Sequence, residues 1–117
     1  MKFNYIKAKL FGFTEKNTDS LSESLEGKYL IYAKSIIISR EGKINKALKM
    51  LNSLLSNKEN YYFLLETKAD ILYSAGYTRE SLLFYEKIIL NYNNNTYVNK
   101  RIFDIKFSLL EKNNENK

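Results

Sequence analysis

Glu66 and Asp70 stand four residues apart in the stretch ETKAD, a spacing that puts two carboxylates on one face of a helix. Paired acids can share general acid and base roles when a pocket drives their pKa values apart. Nothing else in the chain supports that chemistry. Histidine and cysteine are both absent from the 117 residues. A zinc hydrolase needs two imidazoles one helical turn apart, a glutamate base and a third ligand, so no such centre can be built. Thiolate chemistry and a disulfide framework are excluded as well. GYTRES at 76–81 has too few glycines for a phosphate loop. EGK at 41–43 lacks both the upstream glycine and the following Ser/Thr of a Walker motif. Glu66 and Asp70 are therefore read as a polar helix face. No catalytic residue, cofactor or metal ligand is expected, and the chain is not read as an enzyme.

The elements carrying that face follow from composition. Hydrophobic residues make up 44% and aromatic residues 15%, a globular composition. Proline is absent and glycine occurs only four times, which favours long helices over a loop-rich or all-β fold. At this length one domain with a modest core is expected. No apolar run approaches the roughly 18 residues of a membrane span. Lys7 and Lys9 interrupt the apolar stretch that a signal peptide would need, so a cytoplasmic location is expected. The net charge is +6, but sixteen of the nineteen basic residues are lysine and they are spread along the chain. Lysine, asparagine and isoleucine share A- and T-rich codons, so the charge reads as a solvated basic surface more than a nucleic-acid site.

Hydrophobic spacing predicts helices near 2–12, 26–41, 44–56, 60–75, 78–92 and 95–112. Ser20 with Glu23 could form a capping box and start the second of these earlier. The polar stretch 13–25 reads as a linker, NYNNN at 91–95 as a turn, and EKNNENK at 111–117 as a frayed end. Gly42 and Gly76 are separated by 34 residues, the tetratricopeptide period. With each glycine at the fifteenth position, the two units are 28–61 and 62–95. Small residues then recur at the eighth position (Ser35, Ala69) and the twentieth (Ala47, Ser81), and large ones at the twenty-fourth (Leu51, Tyr85). Helices pack closely only where side chains are small, and glycine allows a left-handed turn between them. Both units depart from the usual pattern. Ile31 and Leu65 replace the aromatic at the fourth position, Leu54 and Ile88 fill a small position, and the closing proline is missing.

The predicted organisation is all-α: a flanking helix over 1–13, a linker over 14–27, two degenerate tetratricopeptide-like hairpins stacked over 28–95, and a capping helix with a polar tail over 96–117. Two repeats rarely bury enough surface alone. Ile102, Phe103, Ile105, Phe107, Leu109 and Leu110 are expected to lie over the second repeat, and Phe3, Ile6, Leu10 and Phe13 to seek a core or partner surface.

Four motifs stand in a definite order. Lys7, Ala8, Lys9, Leu10 and Phe13 give K-A-K-L-x-x-F, and Tyr32, Ala33, Ser35 and Ile36 give Y-A-x-S-I. Ala47, Leu48 and Leu51 follow, then Tyr62, Phe63, Ala69, Ile71, Leu72 and Gly76. Over roughly residues 5–95 this order resembles the C-terminal helical-repeat region of bacterial zinc-dependent metalloproteases of the H-E-x-x-H type, which assist outer-membrane protein quality control. The catalytic part of that family has no counterpart in a chain without histidine. Nor is there a counterpart to the signal peptide that sends full-length members to the periplasm. The resemblance implies an accessory module, as from a split or decayed gene in which Met1 stands at a formerly internal position, and a separately encoded protease domain as one partner.

In tetratricopeptide proteins the second, fifth, ninth and twelfth positions line a concave face. Here these are Tyr29, Tyr32, Ile36 and Ser39 in the first unit, and Phe63, Glu66, Asp70 and Tyr73 in the second. Tyrosine offers broad contact area with a polar tip and little entropy to lose, which suits a protein or peptide ligand. Tyr32 and Phe63 are expected to face each other across the groove. Tyr32 and Ile36 also occupy two positions of the lysine and asparagine clamp that chaperone-binding repeats use for a C-terminal carboxylate, so that partner class is not expected. A basic helical RNA-binding protein, joining lysine contacts to tyrosine stacking, is the alternative.

Overall fold

A computed structural model describes residues 27–56 and 60–115, with side chains as far as Lys112. The expected first helix, the linker, the Ser20–Glu23 box and the Phe3, Ile6, Leu10, Phe13 stripe lie outside the described residues. Five α-helices and no strand occur among the described residues: α1 (Lys28–Arg40), α2 (Ile44–Asn52), α3 (Tyr61–Ser74), α4 (Thr78–Ile89) and α5 (Thr96–Glu115). α1 packs on α2, α3 on α4, and α4 on α5. The fold is all-α and built of helical hairpins. The chain divides into two compact units, Met1–Glu59 and Asn60–Lys117, where one domain was expected.

Each hairpin turns on a glycine in the left-handed region, with φ +89° at Gly42 and +92° at Gly76. After α1, the Gly42 N–H donates to the Ser39 carbonyl (3.0 Å) and the Lys43 N–H to the Ile38 carbonyl (3.2 Å). Thirty-four residues on, the Gly76 N–H donates to Tyr73 (3.1 Å) and the Tyr77 N–H to Leu72 (2.9 Å). Both are Schellman caps, which satisfy carbonyls that a helix end leaves open. No atom lies within 4 Å of a Cβ built on Gly76, so the cost of a side chain there is backbone strain alone. Gly76→Val is expected to cost about 1–3 kcal/mol in chemical denaturation. An unchanged midpoint would contradict this reading of the turn.

The small positions are equally repetitive. Ser35, Ala47, Ala69 and Ser81 are all fully buried, as are Leu51 and Tyr85. The two buried serines avoid an unpaired hydroxyl by bonding back along their own helices. Ser35 Oγ donates to the Tyr32 carbonyl and Ser81 Oγ to the Thr78 carbonyl, each at 2.7 Å. A serine can thus replace alanine at a close helix contact with little desolvation penalty.

Three boundaries differ from expectation. α2 stops at Asn52, because Leu54 and Leu55 bond three residues back, to Leu51 and Asn52, and tighten the chain into turns. α4 stops at Ile89, where the Asn91 and Tyr92 amides both donate to the Ile88 carbonyl. α5 runs on to Glu115, through residues expected to fray. Its start is fixed by Asn95, whose Oδ1 accepts the Val98 N–H at 3.1 Å as an N-cap.

In the second unit, Leu65, Ala69, Tyr85, Ile88, Val98 and Ile105 form the buried cluster, with Ile102 and Leu109 packed against it. Residues 98, 102, 105 and 109 follow the helical period and make one face of α5. Phe103, Phe107 and Leu110, expected to join that face, are instead 68%, 52% and 59% exposed. They fall outside the 98–109 stripe on the helical wheel, so one helix cannot press both sets on the same core.

Candidate functional site: the α3 face bordered by α5

The eight expected groove residues separate into two groups, one in each unit. In the first unit, Tyr32 is 0% exposed and Ile36 is 4% exposed. They belong to the core and cannot meet a ligand, which corrects the expected groove. From Tyr32 to Ile38 every residue of α1 except Lys34 is buried, so the helix is open there only on its Lys34 side. Tyr29 is half-buried, with Lys28 Nζ 5.2 Å from its ring centroid. Ser39 is half-buried and spends its hydroxyl on the Ile36 carbonyl at 2.7 Å.

In the second unit, Phe63, Glu66, Asp70 and Tyr73 are all half-buried on α3, none of them fully covered. Three of the four meet a side chain from the start of α5 or its cap. Asn95 Nδ2 donates to Glu66 Oε1 at 3.3 Å. The Tyr97 hydroxyl donates to Asp70 Oδ1 at 2.8 Å. The Arg101 guanidinium lies over the Tyr73 ring, 4.2 Å from its centroid, and its Nη2 donates to the Tyr97 hydroxyl at 2.9 Å. From below, the buried Tyr85 hydroxyl also donates to Asp70 Oδ1. Asp70 thus receives two phenols, and the carboxylate is locked in one rotamer. The cation over Tyr73 adds attraction from the ring quadrupole. A pocket of about 160 Å³ beside this network is lined by Tyr97, Lys100, Arg101 and Asp104.

The electrostatics follow from this packing. Burial pushes the Tyr85 hydroxyl far above the ordinary phenol range, and the bond to Asp70 pushes it further. Tyr97 is raised as well, chiefly by burial, with Arg101 opposing and Asp70 reinforcing the shift. Burial works against the Arg101 charge, but its bond to Tyr97 and the charges of Tyr97 and Tyr85 outweigh that and hold the proton more tightly. Arg101 Nε is buried and has no hydrogen-bond partner.

The raised Tyr85 value has a consequence at high pH. Below about pH 10 the phenol is protonated in both folded and unfolded chains, so its contribution to stability is constant. Above that, the unfolded chain releases a proton that folded Tyr85 keeps. Stability then falls by up to about 1.4 kcal/mol per pH unit. Urea midpoints between about pH 8 and pH 11 should drop more steeply in the native chain than in Tyr85→Phe, whose side chain cannot ionise. Equal slopes would contradict the assignment.

Tyr97 and Arg101 lie beyond residue 95, where the two predicted units end, and the sequence reading does not single them out. A signal was present: Tyr97 follows Phe63 by the same 34 residues that separate Phe63 from Tyr29. Among the described residues, no three or more acidic, histidine or cysteine side chains are grouped to hold a metal ion, and no helix is long and apolar enough to cross a membrane. No family model, curated protein or solved structure matches the chain.

Proposed function

We propose that this chain is a non-catalytic helical-repeat module of the tetratricopeptide type, and that it binds a protein or peptide segment on the α3 face of its second unit. The observation that carries the reading is the tethering of that face. Glu66, Asp70 and Tyr73 are each held by a residue from α5 or its cap, yet none of them is fully buried. Side chains held in place lose little further entropy when a ligand arrives. Phe63 and Tyr73 supply apolar contact, and Glu66 and Asp104 supply negative charge beside the cation of Lys100. That mixture suits a polypeptide with an apolar anchor and flanking charges of both signs. The repeat type is supported by the paired caps at Gly42 and Gly76 and by the small buried residues at matching positions. A separately encoded protease domain of the resembled family is one partner that this reading accommodates.

Nucleic acid is the weaker reading because cations and rings face each other within the chain. Lys68 Nζ lies 4.5 Å from the Phe84 centroid and Lys87 Nζ 5.3 Å from that of Tyr61. Rings occupied in this way are not free to stack on bases.

Selection of a displayed random-peptide library on the purified chain tests the proposal. A consensus sequence is expected whose binding is lost in Phe63→Ala and Tyr73→Ala, while the helical content of both variants is retained. In parallel, a single-stranded RNA oligonucleotide is titrated at rising salt. Tight RNA binding that collapses between low and physiological salt, with no peptide consensus, would replace this reading with the nucleic-acid one.

A further inference from the structure

α5 carries a second apolar face that the unit's core does not use. Phe103, Phe107 and Leu110 recur at spacings of four and three, and each has more than half of its surface open to solvent. The Phe103 and Phe107 rings stack with centroids 6.3 Å apart. Lys106 Nζ lies 3.9 Å from Glu86 Oε1, which brings the outer side of α4 alongside. There Leu83 and Leu90, 68% and 85% exposed, lie one turn either side of Glu86. Phe103, Phe107 and Leu110 together expose on the order of 300 Å², in the range where a patch on a small monomer marks an interaction site.

The charges beside the stripe say what covers it. At 3.6 residues per turn, Asp104 and Glu111 line one edge of Phe103, Phe107 and Leu110, and Lys106 lines the other. When two such helices lie parallel and in register, a residue on one edge meets the residue five further on, on the opposite edge of its mate. Lys106 of each copy then meets Glu111 of the other. In an antiparallel pair like edges meet, acid against acid. We propose that the chain forms a parallel two-fold dimer through α5, with Phe103, Phe107 and Leu110 in the seam and two Lys106–Glu111 pairs beside it. The Lys106–Glu86 contact is no obstacle, since both side chains are about half exposed or more and such a pair contributes little. Lys100 extends the seam at its amino-terminal end, and a lysine there specifies register at a cost in affinity. The area is below that of a standard interface, so the dimer is reversible and of micromolar strength.

Sedimentation velocity on the full chain, from about 1 µM to about 300 µM, tests this over the range where so small an interface should associate. The native chain is expected to shift reversibly from monomer to dimer. Phe107→Glu and Leu110→Lys should each stay monomeric with an unchanged helical signal. Lys106→Glu and Glu111→Lys should each weaken association by roughly tenfold, and the double exchange should restore it. Lys100→Leu should tighten it. A monomer at every concentration would overturn the dimer. Association that survives Phe107→Glu would overturn the surface. A double exchange that fails to restore binding would overturn the parallel pairing. The seam shares Lys100 and Asp104 with the α3 site, but no peptide enters these measurements, so a failure of the dimer is distinguishable from a failure of that site.

Discussion

Tyr32→Ala is expected to lower stability by about 3–5 kcal/mol, because a fully buried aromatic is replaced by a methyl group in the most buried stretch of α1. Small domains hold only about 5–15 kcal/mol in total, so this loss is a large fraction of the stability. Urea denaturation followed by circular dichroism reads the effect. Phe63→Ala is the contrast. Phe63 is half-buried, so its truncation is expected to cost only about 1 kcal/mol. Equal losses would mean that the two tyrosine- and phenylalanine-bearing faces are not as different as their exposure implies.

Asp70→Ala is expected to have the next largest effect, a loss of about 3 kcal/mol. Its carboxylate accepts from both Tyr85 and Tyr97. Removing it leaves the Tyr85 hydroxyl buried without an acceptor and takes away charge-assisted bonds, which are worth more than neutral ones. The loss should be local. Tyr97 and Arg101 belong to α5, so amide exchange should quicken at the start of α5 before it does in α4. Asp70→Asn keeps one acceptor oxygen and should recover most of the loss. An alanine variant as stable as the native chain would show that the network contributes nothing net.

How much of this was legible in the sequence depends on the distance over which each feature is decided. Gly42 and Gly76 could be read because a left-handed turn is a local demand that few residues meet, and the 34-residue spacing doubled the signal. The small pairs Ser35/Ala69 and Ala47/Ser81 were legible for the same reason. Tyr32 was misplaced because the family's groove position was carried onto a helix that does not obey it. YAKSIII is apolar nearly all round, and that composition already argued for burial on nearly every side. The face of α5 was ambiguous in another way. Residues 98, 102, 105 and 109 and residues 103, 107 and 110 both satisfy a helical period, and only the packing on α4 decides which is covered. The contacts of Glu66, Asp70 and Tyr73 with Asn95, Tyr97 and Arg101 span 27 to 29 residues. Such pairs are set by how α5 returns to α3, which no local pattern records.

The most direct measurement is an amide chemical-shift map of the labelled chain, titrated with a peptide taken from library selection. The perturbed residues are expected to gather on Phe63, Glu66, Asp70 and Tyr73, to extend to Tyr97 and Lys100 on α5, and to leave Tyr32 and Ile36 unmoved. Shifts centred on α1, or a selected peptide that leaves the α3 face untouched, would contradict that expectation.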